Sequence, residues 1–234
     1  MNASIDTNVI IHFYRSGCKD VLLSAFDKIY VHNFIVDTEL KNHGSDIIYE
    51  FNCDVAENKI TIVNNTFLFS IGMKDLFDEH FRETRILYSP QDLGEVYAIA
   101  LAQTLGVASV VTDDIKQYGP HYTLMRMIDS EIIPLAFHEV LLLEFLSGSI
   151  SSVRYIELFE KINESCCLNW DILSKTKNSI RRFLSNPDLD REILWMQSFC
   201  DTHGTDFKSK SAELLRQVNN MGQIIPGTQK FTQC

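Results

Sequence analysis

Several acidic residues in this 234-residue chain stand directly behind short apolar runs, a position from which side chains can do chemistry. Asp6 ends the run Ser4-Ile5, and Asp113 and Asp114 end Ser109-Val110-Val111-Thr112. Glu39 lies in the helical segment after a second apolar run, and Asp92 and Glu95 lie in Ser89-Pro90-Gln91-Asp92-Leu93-Gly94-Glu95. Carboxylates that converge from strand ends can hold a hard divalent cation, which offsets the charge that builds on oxygen during phosphodiester hydrolysis and lowers the pKa of a bound water. Mg²⁺ or Mn²⁺ suits such an all-oxygen set. Asp92 has a structural explanation as well: Ser89 as N-cap, Pro90 at the first helical position and Asp92 three residues past the cap resemble a capping box. Glu95 has none, and the small residues behind it (Ala98, Ala100, Ala102) would let its helix lie close against a sheet.

These acids need a scaffold that brings distant segments together, and the pattern of the chain supplies one. Strands are expected at residues 3–6, 28–31, 60–63, 108–112 and 131–134. Helices are expected at 21–26, 34–42, 45–57, 73–86, 91–105, 120–129 and 136–146. This alternation implies βαβ units and a parallel α/β sheet, whose sites form at the carboxyl ends of the strands. After the small, polar Ser147-Gly148-Ser149, the chain has helical character to about residue 220, followed by a Gly- and Pro-containing tail. The expected division is therefore a domain over 1–147, a helical extension over 148–220 and a flexible tail over 221–234.

With Ile5-Asp6-Thr7-Asn8, Glu39, Gly94-Glu95 followed by Ala98–Ala102, and Thr112-Asp113-Asp114 in this order, residues 1–147 resemble the PIN-domain family of metal-dependent ribonucleases, which includes the VapC-type toxins. The resemblance implies a three-layer α/β/α domain with a central parallel sheet, here followed by an α-helical extension. It implies Asp6, Glu39, Glu95 and Asp114 as the catalytic quartet, with Asp6, Glu95, Asp114 and the adjacent Asp113 as metal ligands and Asn8 and Thr112 as polar supports. Asp113 can replace Asp114 as the fourth acid, and Glu95 reaches one methylene further than the Asp the family often carries. An endoribonuclease cutting RNA with Mg²⁺ or Mn²⁺, in a toxin or RNA-processing role, is the activity implied. An antitoxin or other protein partner and a homodimer are the implied assemblies. The alternative is an inactive PIN-like scaffold that binds a protein.

Other chemistries fail on particular residues. A haloacid-dehalogenase-like phosphatase needs a second Asp where Asn8 stands, and neither phosphate-binding glycine motif occurs in the chain. The seven histidines show no metal-ligand spacing, and the six irregularly spaced cysteines suggest reduced thiols rather than a disulfide framework. No apolar run is long enough for a membrane span and no secretory signal is visible, so a cytoplasmic protein is expected.

The net charge of −10 is uneven: residues 1–150 carry 21 acids against 10 Lys and Arg, while residues 151–234 carry 10 against 11. An acidic catalytic domain repels phosphate at long range. On the expected helix 172–184, Lys175, Lys177, Arg181 and Arg182 fall opposite the apolar side, and this face is a candidate RNA-backbone surface. An ordinary solvated face is the alternative.

Overall fold

The computed structural model describes residues 1–88, 92–126, 130–185 and 190–224. It divides into two compact units, Met1–Phe137 and His138–Cys234.

The first unit is built on five parallel strands, β1 (Asn2–Ile5), β2 (Lys28–His32), β3 (Ile60–Val63), β4 (Ser109–Val111) and β5 (Ile133–Leu135), in the order β3-β2-β1-β4-β5. The registers Ala3 to Ile29 and Ala3 to Ser109 place β1 at the centre. Ala3, Ser4 and Ile5 are all fully buried, as a strand covered on both faces requires. Together with the surrounding helices, this arrangement is consistent with a three-layer α/β/α fold. From β1 the chain steps outward to β2 and β3, then returns to the other side of β1 for β4 and β5. The reversal point lies between β1 and β4, where a crevice opens at the strands' carboxyl ends.

Among the described residues, seven helices connect the first four strands: α1 (Thr7–Arg15), α2 (Lys19–Ala25), the one-turn α3 (Lys41–His43), α4 (Ile48–Ala56), α5 (Asn65–Ser70), α6 (Lys74–Leu87) and α7 (Leu93–Leu105). The sequence reading missed α1, whose Val9-Ile10-Ile11 looks like the continuation of a strand. Asp6 overrides that preference by accepting the Thr7 N–H at 2.7 Å and capping the helix. A π-helical turn, Ile35–Leu40, replaces the start of the helix expected at 34–42. In α7, Val96, Ala98, Ile99, Ala100, Leu101 and Ala102 are buried, and the helix packs on β1, β2 and β4, the close approach its small residues allow. It ends on Gly106 at φ 61°, a left-handed conformation that glycine adopts without strain. Ser89 and Pro90 of the expected capping box lie outside the described residues, and the helix begins at Leu93, with Asp92 preceding it. After β4 come α8 (Pro120–Arg126), β5 and α9 (Phe137–Leu146), whose first residue closes the first unit.

The second unit is helical: the rest of α9, then α10 (Ser152–Ser165), α11 (Ile172–Ser185), α12 (Asp190–Thr202) and α13 (Phe207–Ile224). The division at Phe137 falls ten residues before the expected boundary at 147, so most of α9 belongs with the extension. Its apolar residues are buried all round. The last helix continues to Ile224, into the stretch expected to be a flexible tail, and the remainder of that tail, 225–234, lies outside the described residues. Cys18, Cys53, Cys166 and Cys200 are free, whereas Cys167 is disulfide-bonded, which departs from the expectation of reduced thiols throughout. No helix among the described residues is long and apolar enough to cross a membrane.

Candidate functional site

Asp6 follows β1 directly and Asp114 stands three residues past the end of β4, so the parallel pairing of these strands brings together segments more than a hundred positions apart. The Asp6 N–H donates to the Val111 carbonyl at 3.0 Å, extending the ladder by one residue and fixing the buried carboxyl group just past the end of β1. One Asp6 oxygen caps α1, and the other accepts a hydrogen bond from the Thr112 hydroxyl at 3.2 Å. Thr112 also accepts the Asp114 N–H at 3.3 Å, so its hydroxyl links the two strand ends.

Glu39 projects from the π-helical turn and accepts a hydrogen bond from the Thr7 hydroxyl. A single-turn widening of a helix is a common way to place a functional side chain. The glutamate lies against the backbone of α7 at Gly94, where an added Cβ would collide with both carboxylate oxygens. Asn8, the other expected support, is exposed on α1, and the contact to the acids comes from its neighbour Thr7.

At the mouth, Asp92, Glu95 and Asp114 each present a carboxylate oxygen, all within 4.8 Å of one another. Asp92 was set aside in the sequence as a capping residue, yet it makes no capping hydrogen bond to α7. Its spacing of three residues from Glu95, which puts both on neighbouring parts of one helical face, was the signal that could have found it. Asp113 is occupied elsewhere: one oxygen accepts the Phe137 N–H at 2.7 Å and the other lies 2.5 Å from His12 Nδ1. Asp113 is thus held by Phe137 and His12, whereas Asp114 lies with Asp92 and Glu95. Gly119 borders Asp114 so closely that an added Cβ would lie 2.6 Å from its Oδ1.

The electrostatics follow from this crowding. Burial first, and then the charges of Glu95 and Glu39, push Asp6 well above the ordinary carboxylate range. Glu95 is pushed up to about 7, chiefly by burial and further by Asp92, Asp114 and Glu39. Tyr88 is pushed up to about 12, again chiefly by burial, with Glu95, Asp114 and Asp92 adding to it. The nearest compensating charge is Lys116, whose Nζ lies 2.8 Å from Asp114 and 3.8 Å from Asp92 while the side chain remains largely exposed. An all-oxygen donor set under this strain fits a hard divalent cation, which would relieve both the repulsion and the burial cost.

The basic helix face of the second unit is smaller than expected. Arg182 is buried, donating to Glu139 at 2.9 and 3.0 Å and to Glu192 at 2.5 and 2.7 Å, and so is unavailable to RNA. Helical phase alone places it on the polar side, but Glu139 of α9 and Glu192 of α12 draw it inward. Lys175 lies 3.8 Å above the Trp170 ring, and Lys177 and Arg181 are exposed.

Comparisons with protein-family models, with curated proteins and with solved structures find no match to this chain.

Proposed function

We propose that the chain is a metal-dependent endoribonuclease of the PIN type, hydrolysing RNA phosphodiester bonds at the crevice between β1 and β4. The observation that carries this reading is the convergence of Asp92, Glu95 and Asp114 within 4.8 Å, with Asp6 and Glu39 behind them, on the side of the sheet where the chain reverses direction. Asp92, Glu95 and Asp114 would hold Mg²⁺ or Mn²⁺, and the bound ion would supply an activated water and charge neutralisation at the scissile phosphate. Around it, Asp6 and Thr112 hold the strand ends in register, Thr7 orients Glu39, and Gly94 leaves the room that Glu39 occupies. Glu95, whose burial and acidic neighbours push it up to about 7, would be deprotonated when it holds the cation.

The test is incubation of the full chain with mixed RNA in Mg²⁺ or Mn²⁺, with and without EDTA. Cleavage should require the metal, and Glu95→Gln and Asp114→Asn should abolish it. A non-cleaving scaffold has one observation in its favour: Lys116 already neutralises Asp114 and Asp92 from within the chain. On that reading, neither cation would change thermal stability and no RNA would be cut.

A further inference from the structure

A second feature lies on the same edge of the sheet, at the carboxyl ends of β2 and β3. It is a cleft of about 340 Å³, walled by the half-buried rings of Phe34, Phe81 and Tyr97. Tyr97 stacks on Phe34 with ring centroids 4.5 Å apart and on His32 at 4.3 Å, and His32 in turn lies parallel to Phe77 at 5.1 Å. The His32 Nδ1 accepts the Phe34 N–H at 3.1 Å, which puts the ring proton of the neutral imidazole on Nε2. That Nε2–H is buried and has no hydrogen-bond partner among the described residues, although His32 is only 4% exposed and lines the cleft. Buried donors are ordinarily paired, so an orphan beside a cavity points to an acceptor that arrives with a ligand. Burial and the nearby Lys74 charge push His32 down to about 4, so the ring stays a neutral donor at physiological pH.

The chemistry of the walls narrows the ligand. The volume is at the lower end of the range for small-molecule sites, about 300–1,000 Å³, which suits one planar ring system. Asp37 and Asp78 border the cleft, and the ammonium of Lys74 is already paired with Asp78, so the site disfavours an anion. A neutral flat heterocycle with hydrogen-bond acceptors on its edge fits both the rings and the orphan donor. The cleft and the acidic residues lie at the same end of the sheet. His32 and Glu39 belong to one short segment, and β2 lies beside β1, whereas Tyr97 stands two residues past Glu95 and so on a different side of α7.

We propose that this cleft is a nucleobase subsite, in which a base of single-stranded RNA packs against the stacked pair Phe34 and Tyr97 and accepts a hydrogen bond from His32. As a substrate-binding element the subsite rests on the nuclease reading, but binding of a base can be measured without cleavage. The experiment is saturation-transfer NMR on the full chain in EDTA, titrated separately with AMP, GMP, CMP and UMP. Base protons of at least one nucleotide should receive more saturation than its ribose protons. Because stacking of one base contributes about 1–3 kcal/mol, Tyr97→Leu and Phe34→Leu should each weaken binding ~5-fold or more. Tyr97→Trp, which restores a π-face, should recover it, and Tyr49→Leu on the exposed surface of α4 should leave it unchanged. The proposal is overturned if no nucleotide shows a base signal, if Tyr97→Leu and Phe34→Leu bind as the wild type does, or if Tyr97→Trp fails to restore what Tyr97→Leu loses. The same preparations are assayed for RNA cleavage in Mn²⁺. Base binding without cleavage overturns the nuclease reading and supports the subsite, whereas cleavage without base binding does the reverse.

Discussion

Asp6 and Glu95 hold their protons more tightly in the folded chain than an unfolded chain would, and the sign of that difference sets a pH dependence. An acid with a raised native pKa contributes stability that is complete below its unfolded pKa and is lost as pH rises through its folded one. For Glu95 that window runs from about 4.5 to about 7. Melting temperature in EDTA should therefore fall between pH 5 and 8. Glu95→Gln should flatten the curve, and a flat wild-type curve would show that neither burial nor the neighbouring acids raise Glu95 in the folded chain. Gly94 gives a second residue-scale outcome, because Gly94→Ala drives a methyl into the Glu39 carboxylate. Overpacking of this kind costs about 1–3 kcal/mol, so a modest drop in denaturant midpoint should accompany at least a ~10-fold loss of RNA cleavage. Retained cleavage would remove Glu39 from the site.

The helix α11 separates two kinds of cation within one turn. Arg182→Ala removes the guanidinium that buried Glu139 and Glu192 share, and breaking a buried pair costs about 3–5 kcal/mol. Arg181→Gln on the exposed side should change stability by less than about 0.5 kcal/mol, and urea unfolding of the two variants compares them directly. If Lys177 and Arg181 touch RNA phosphates, replacing both with Gln should flatten the salt dependence of single-strand binding by about 0.7 per contact. An unchanged slope would leave this face solvated. The same helix shows what sequence can and cannot say about an element. Phase and amphipathicity located α11 and its polar face, but Arg182 depends on acids contributed by α9 and α12, and pairings between elements leave no local pattern. Strand-end acids were legible for the opposite reason: parallel pairing carries every strand's carboxyl end to one edge, so Asp6, Thr112 and Asp114 could be placed from order alone. The start of α1 was hidden by its β-branched residues. Asp92 was hidden by the capping box expected from Ser89 and Pro90, and the aromatic cleft was hidden because His32, Phe34 and Tyr97 share no periodicity.

For the whole molecule, the division of charge between an acidic first unit and a near-neutral second one means that a bound cation acts on the more strained part. A ligand that binds only the folded state stabilises it by mass action, about 2.7 kcal/mol at a hundredfold excess over its dissociation constant. Mn²⁺ should therefore raise the melting temperature of the wild type, and Asp114→Asn should blunt the rise. Equal shifts in both would place the ion elsewhere. Asp6 caps α1 and Asp113 anchors the start of α9, so both earn their keep in a chain that has lost all chemistry. In a lineage that had abandoned catalysis, selection for folding alone would preserve Asp6, Thr112 and Asp113, while Glu39, Asp92, Glu95 and Asp114 would be released to drift. Those four positions, rather than the more deeply buried acids, would record in any descendant of this chain whether its ancestor's chemistry had been kept.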